Sequence, residues 1–139
     1  MKVYLASSYS RRAEMLEHAA DLRAIGVEVV SRWIDGHHET RPNADEHHTR
    51  LEAARWAYED LADIDKADTL ILFTNPDGGY RRGGCKVEFG YALGRDVDCL
   101  VIGPRDDVFT CVDGVHHYDS WDVLLAEWTP FAEQLREVR

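Results

Sequence analysis

The sequence predicts a doubly wound α/β sandwich, Rossmann- or flavodoxin-like, in which helices cover both faces of a mostly parallel sheet of about five strands. Three observations predict it. Strand-like and helix-like apolar patterns alternate from one end of the chain to the other, as successive β–α units do. Thr69-Leu70-Ile71-Leu72-Phe73 is the clearest strand, with the apolar content of a central strand buried on both faces. The strong turn signal Thr74-Asn75-Pro76-Asp77-Gly78-Gly79 follows it directly, where a strand-to-helix loop is due.

Each element can be argued in order. Residues 2–7 form a short hydrophobic strand. Residues 10–25 carry a helical stripe of Met15, Ala19 and Leu22, with Gly26 placed to end the helix as its C′ residue. Val27 to Ser31 reads as a second strand, and the polar stretch from Trp33 to Asp45 as a long loop. A helix is expected over 45–66, with Leu51, Ala54, Tyr58 and Leu61 on one face. After the central strand, a helix should run from near Gly84 to about Gly94, followed by a strand at Cys99-Leu100-Val101-Ile102. A short apolar piece (Val108, Phe109) and an edge strand (Val115 to Tyr118) precede a last helix, N-capped by Ser120 with Asp122 in its first turn. There is no internal repeat, low-complexity segment or linker, so one domain is expected over residues 1–139.

Composition narrows the functional classes. A formal net charge of −10 argues against a nucleic-acid polymer, which is bound by neutralising phosphates with Lys and Arg. A small anionic metabolite needs only a few local cations, and Arg11-Arg12 and Arg81-Arg82 are the candidate pairs. No apolar run approaches the roughly 18 residues of a membrane span, and Met1 leads straight into a strand, so no membrane partner and a cytoplasmic address are expected. Cys85, Cys99 and Cys111 read as free thiols. The histidine pairs 37–38, 47–48 and 116–117 are adjacent residues that point different ways, so no metal is expected.

Open parallel sheets bind ligands beyond the carboxyl ends of their strands, where the strand order reverses. The loops 6–12, 33–45 and 74–84 should meet there. In Gly83-Gly84-Cys85-Lys86-Val87-Glu88, two glycines allow close backbone approach to a ligand and the helix start presents free N–H groups. Glu88 lies one turn in, where the helix dipole favours an ionised carboxylate, as a nucleophile requires. The plainer reading is that Glu88 merely complements that dipole. Asp60, Asp63, Asp65 and Asp68 crowd a helix end that disfavours negative charge. Asp63 and Asp65 read as solvated surface charge. Asp60 shares the flank of Ile64, which should face the sheet, and a partly desolvated carboxyl there is suited to donating a proton. Trp33 and His37 can cover a base, although Trp33 equally suits a core position at a strand end.

These pieces carry a family resemblance. Val3-Tyr4-Leu5-Ala6, then Asp60-Leu61-x-x-Ile64-x-x-x-Asp68, then Val87-Glu88-Phe89-Gly90-Tyr91-Ala92-Leu93, in that order over residues 2–103, resemble the nucleoside 2-deoxyribosyltransferase family. That superfamily includes the 2′-deoxynucleoside 5′-monophosphate N-glycosidases. The resemblance implies that Glu88 attacks the anomeric carbon, that Asp60 contacts the base and protonates it as it leaves, and that Tyr4 lies beside the nucleophile. It implies no cofactor, and a homodimer or higher homo-oligomer. An N-glycosidic bond breaks through an oxocarbenium-like transition state, which calls for an anion beneath the sugar and an acid at the base.

The sequence departs from the family six residues before Glu88. Where transferases tend to carry an aspartate and nucleotide hydrolases a serine, Arg82 stands here beside Arg81. An arginine facing the 5′ end of the substrate favours a phosphate over a hydroxyl. Ser7, Ser8, Ser10 and Arg11, with Gly84, can complete such a pocket, whereas a solvent-exposed loop tip would equally explain Arg81-Arg82. The expected activity is therefore N-glycosidic cleavage of a nucleoside or deoxynucleoside 5′-monophosphate. Base exchange between deoxynucleosides is the alternative within the enzyme class, and a non-catalytic nucleotide-binding sensor the alternative outside it. A flavodoxin-like carrier lacks support, since no cofactor loop follows the first strand.

Overall fold

Five parallel strands, in the spatial order β2-β1-β3-β4-β5, organise the computed structural model of the chain. They are β1 (Lys2–Ala6), β2 (Glu28–Val29), β3 (Thr69–Phe73), β4 (Asp98–Ile102) and β5 (His116–Tyr118). Four helices accompany them: α1 (Arg12–Ala24), α2 (Glu46–Lys66), α3 (Gly84–Gly94) and α4 (Trp121–Val138). The structure describes residues 1–36, 46–77 and 83–138, apart from the side chains of 46–48 and 136. The doubly wound α/β fold expected from the sequence is the fold observed.

The strand order explains which helix covers which face. The chain steps from β1 outward to β2, then returns past β1 to β3 and continues in that direction. Right-handed crossovers put helices from opposite steps on opposite faces. Accordingly α1 packs beside α4, and α2 beside α3. The strand register agrees. Leu5 is paired with Ile71 and projects to the α1 side with Phe73, which stacks on His18 of α1. Tyr4 is paired with Leu70 and Leu70 with Cys99, and these alternate residues project to the α2–α3 side.

All five residues of β3 are buried, as a strand flanked on both sides and covered on both faces must be. Helix α1 buries Met15, Ala19 and Leu22, the predicted stripe. Gly26 closes it with φ +88°, and Val27 N–H returns to the Leu22 carbonyl at 3.0 Å. Ser120 Oγ accepts from Val123 N–H at 3.3 Å, the predicted cap of α4. Among the described residues no helix is long and apolar enough to cross a membrane. The three cysteines are free thiols.

Three expectations are corrected. The second strand is two residues, not five, because the chain leaves the sheet at Val30 and turns at Arg32–Asp35 into a short 3-10 helix that the polar composition concealed. A 3-10 turn at Tyr9–Arg11 likewise precedes α1. On α2, only the C-terminal end of the expected apolar face is covered: Leu51 and Tyr58 are 57% and 74% exposed, while Leu61 packs against the core beside the buried Asp63 and Ile64. Length is the reason. A helix of 21 residues spans about 31 Å and a five-residue strand only about 17 Å, so the N-terminal turns of α2 extend beyond the sheet.

Gly103, at the end of β4, has φ +106°, and a Cβ there would sit 2.5 Å from Thr74 Oγ1 and 2.9 Å from the Thr74 carbonyl oxygen. The close approach lets Thr74 Oγ1 donate to the Pro104 carbonyl at 2.7 Å and ties the ends of β3 and β4 together. Gly103→Ala combines a disfavoured backbone conformation with a clash against backbone, and should cost about 2–4 kcal/mol. A lowered urea midpoint at unchanged slope would register the loss; an unchanged midpoint would refute this account of Gly103.

Candidate functional site

Strand order reverses between β1 and β3, so the crevice of this fold opens beyond Ala6 and Phe73. Tyr4, fully buried in β1, sends its side chain to the α2–α3 face, where its hydroxyl donates a short hydrogen bond to Glu88 Oε2. Glu88 is the fifth residue of α3, whose start is set by Gly83 in the left-handed conformation at φ +81°. Among the described residues, leaving aside chain neighbours and the helix's own backbone, nothing lies within 4 Å of where a Cβ on Gly83 or Gly84 would stand. The glycine required by backbone geometry is Gly83; Gly84 is helical and exposed.

Burial pushes the Glu88 carboxyl up from its ordinary 4.5 to about 8. This corrects the expectation that the helix dipole alone keeps it ionised: desolvation outweighs the dipole. The Tyr4 hydroxyl opposes burial by donating to the carboxylate. Asp60 is half-buried on α2, one turn before the fully buried Ile64. Its carboxyl is raised to about 7, chiefly by burial and then by the charges of Asp63 and Glu59, with Arg32 pulling the other way.

The two acids lie on helices packed side by side on one face of the sheet. Helices α2 and α3 run in the same direction, and Asp65 of α2 accepts from Tyr91 Oη at 2.9 Å and Arg95 Nε at 3.0 Å of α3. Counted back from that junction, Asp60 lies about 7.5 Å and Glu88 about 4.5 Å toward the carboxyl edge of the strands, within one helical turn of each other. Two carboxyls on one side of the sheet, one held by a phenol and both held above their ordinary range, can serve as nucleophile and proton donor.

Other predicted positions are used differently. Trp33 is in the core, 4% exposed, with its indole N–H donating to the Leu5 carbonyl at 2.7 Å. Of its two readings, the structure carries the core one, because the 3-10 turn at Arg32–Asp35 folds the indole under the loop. Tyr9, 37% exposed, lies tilted against it at 6.1 Å and was missed because it resembles an ordinary helix-start residue. Arg11 is tied to its own chain. Its guanidinium grips Glu14 twice, at 3.2 and 2.7 Å, and donates to the Thr74 carbonyl at 3.1 Å. Ser7 is buried with its hydroxyl on the Ser8 carbonyl at 3.0 Å, Ser8 is half-buried, and Ser10 is exposed. His37, Arg81 and Arg82 lie outside the described residues.

Asp63 is a further correction. It is not solvated charge but 1% exposed, and it is held by Arg32. Asp65 is exposed, yet it is paired with Arg95. The signal for Asp63 was its place next to Ile64 and one turn from Asp60, together with an arginine in the loop after β2. Among the described residues no group of three or more His, Cys, Asp or Glu is placed to hold a metal ion. His117 instead pairs with the Gly103 carbonyl at 2.7 Å.

Solved structures share this architecture along nearly its whole length. A 2-deoxyribosyltransferase from the psychrotolerant bacterium Bacillus psychrosaccharolyticus superposes with a TM-score of 0.65 at 18% identity, over 90% of each chain. A CMP N-glycosidase from Clostridium botulinum gives 0.61 at 17% identity, over 92% of this chain and 98% of that one. A conserved protein from Enterococcus faecalis gives 0.54 at 12% identity, over 96% and 98%. At these identities the likeness establishes a common fold. No protein-family model and no curated protein matches the chain.

A carboxyl that holds its proton in the folded state but releases it when unfolded loses stability as pH rises. For Glu88 the loss begins near 4.5, its ordinary value, and is complete only above about 8. Glu88→Gln removes this dependence, so the variant should gain stability relative to the wild type between pH 5 and 9, by up to a few kcal/mol. Parallel melting curves of the two proteins across that range would contradict the buried-acid assignment.

Proposed function

We propose that this chain cleaves the N-glycosidic bond of a nucleoside or deoxynucleoside 5′-monophosphate. The observation that carries the proposal is the Tyr4–Glu88 hydrogen bond at the strand-order reversal, with the raised carboxyl of Asp60 on the same face. The shared fold supports it, since one of the similar structures is a CMP N-glycosidase and another a 2-deoxyribosyltransferase.

In the proposed reaction the Glu88 carboxylate attacks C1′ of the sugar as the C1′–N bond breaks. The base leaves with the bonding pair and takes the proton of Asp60. Water then attacks C1′ of the glycosyl ester, giving its proton to the Asp60 carboxylate, and Glu88 is released. Tyr4 orients the attacking oxygen pair and withdraws its hydrogen bond partly as the ester forms. The 5′-phosphate preference rests on Arg82.

Base exchange between deoxynucleosides is the second reading. What favours it is Arg11, whose charge is already matched by Glu14 and is thus weakened as a phosphate ligand. Incubation with deoxynucleoside monophosphates, and separately with deoxynucleosides plus an acceptor base, distinguishes the two by chromatography. Free base from the monophosphate alone supports hydrolysis; a new nucleoside supports exchange. Tight nucleotide binding with no turnover over hours would point to a sensor and refute both.

Glu88→Ala should lower turnover about 10³-fold or more, and Asp60→Asn about 10²–10⁴-fold, with the fold retained. The reactive form pairs ionised Glu88 with protonated Asp60, the reverse of what values near 8 and 7 favour. About one molecule in twenty is then competent at pH 7.5, and kcat/KM should rise to about pH 7, level off, and fall above about pH 8. A rate that climbs steadily to pH 10 would exclude Asp60 as the acid.

A further inference from the structure

A second buried carboxylate lies next to the proposed acid, and the cation that holds it comes from a different element. Asp63 is one turn along α2 from Asp60, on a neighbouring helical position. It is 1% exposed and is gripped by three nitrogens of one residue. Arg32 donates its backbone N–H to Oδ2 at 3.0 Å and its Nε to Oδ1 at 2.9 Å and Oδ2 at 3.2 Å, while its Nη2 lies 2.8 Å from Oδ1. The same guanidinium approaches Glu59 at 3.8 Å. Arg32 opens the 3-10 turn whose next residue, Trp33, is pinned to the Leu5 carbonyl in β1. The contact therefore joins the Asp60-bearing turn of α2 to the strand that carries Tyr4.

We propose that Arg32 is a positioning residue for the reaction at Asp60: by clamping the buried Asp63 carboxylate it fixes the turn that presents Asp60 and sets the charge that Asp60 faces. The assignment rests on the proposed function and extends it. Among the described residues, the charged and titratable groups around Asp60 are Glu59 and Asp63 on its own helix and Arg32 from the turn after β2. Tyr4 of β1 and Glu88 of α3 share its side of the sheet. A full negative charge on Asp63 opposes ionisation of Asp60, and the positive charge of Arg32 favours it. Removing one partner of the clamp therefore shifts Asp60 one way, and removing the other shifts it the opposite way. A contact that only held the fold together would leave the kcat/KM profile of the folded variants unmoved.

The test is a titration of the Asp60 carboxyl by ¹³C NMR in the full chain, with the resonance assigned through Asp60→Asn. The wild-type midpoint should fall near 7. Asp63→Asn keeps the shape of the side chain and removes its charge, and should lower the midpoint by about half a unit or more. Arg32→Met removes the cation that favours ionised Asp60 and should raise it by a similar amount, whereas Arg32→Lys, which keeps the charge but not the fork, should fall between Arg32→Met and the wild type. Thermal melts identify any variant that has unfolded; Asp63→Asn and Arg32→Lys retain hydrogen-bonding partners and carry the test if Arg32→Met does not fold. The lower break of the kcat/KM profile should move in the same direction as each midpoint. Shifts of the same sign in Asp63→Asn and the arginine variants, or no shift in folded variants, overturn the proposal even if the wild type is active. Opposed midpoint shifts in a protein that turns over no nucleoside or nucleotide would instead overturn the proposed function, and with it the positioning role.

Discussion

The hydrogen bond from Tyr4 to Glu88 is the interaction on which the arrangement of the crevice depends. It joins the third residue of an apolar strand to the fifth residue of a helix 84 positions away, and it needs both elements in register. Side chains alternate across a strand, so a slip of one residue in β1 would turn Tyr4 toward α1 and leave Glu88 buried without its donor. Pairing of Tyr4 with Leu70 prevents the slip, since β3 is apolar on both faces and is fixed between two neighbours. On the other side, the left-handed Gly83 fixes where α3 begins, and therefore which residue arrives above the phenol. A carboxyl above, a phenol within the sheet and a glycine at the helix start form one geometric unit.

Around this unit the rim of the crevice is tied by cations from short turns and helix starts, each fastened to another part of the chain. Arg11 spans Glu14 and the end of β3, Arg12 holds the Ile34 carbonyl at 2.7 Å, Arg32 holds Asp63, and Lys86 binds Asp106 and Asp107 beyond β4. The tie on the α1 side continues through Glu14 to His18, 3.1 Å away, whose ring is stacked between Phe73 and Trp121. Loops that border a crevice have few apolar contacts of their own, so charge-assisted bonds to neighbouring elements supply their order. The acidic chain thus uses these four cations internally, and its net charge of −10 does not describe the field at the crevice, where two carboxyls are raised by burial.

The fold was legible because its signals are local. The apolar run at Thr69–Phe73, the 3-4 spacing in α1, and Gly84 and Gly94 bounding α3 each express backbone geometry within a few residues. Glu88 and Asp60 stand out in the sequence for a similar reason, as acids on helices beside the strand-order reversal. What was not legible depends on contacts distant in sequence. Asp63 reads as surface charge until Arg32, 31 residues earlier, is folded against it, and an acid between Ala62 and Ile64 carries no mark of its partner. Trp33 has the same composition whether it covers a ligand or fills the core, and only the 3-10 turn at Arg32–Asp35 decides between them. The apolar residues of α2 satisfy a helical pattern, yet the helix outruns the sheet, and sequence periodicity contains no information on the length of the neighbour.

Burial of the proposed nucleophile has two opposed effects, and the balance between them bears on why a phenol is present. Taking Glu88 out of water penalises its resting anion and raises its pKa to about 8, which leaves few molecules ionised at neutral pH. The same loss of water strengthens the attraction between that anion and a positive charge developing on a sugar above it, because the interaction scales inversely with the local dielectric. Cation character exists only while the glycosidic bond is breaking, so the attraction is gained in the transition state and not in the resting protein. Tyr4 limits the penalty without restoring solvent, since one oriented donor replaces several mobile waters and requires no reorganisation as charge moves. A carboxylate left in water would be ionised more often and would stabilise an oxocarbenium-like centre less. In this site the raised pKa and the capacity for the proposed chemistry have the same physical origin.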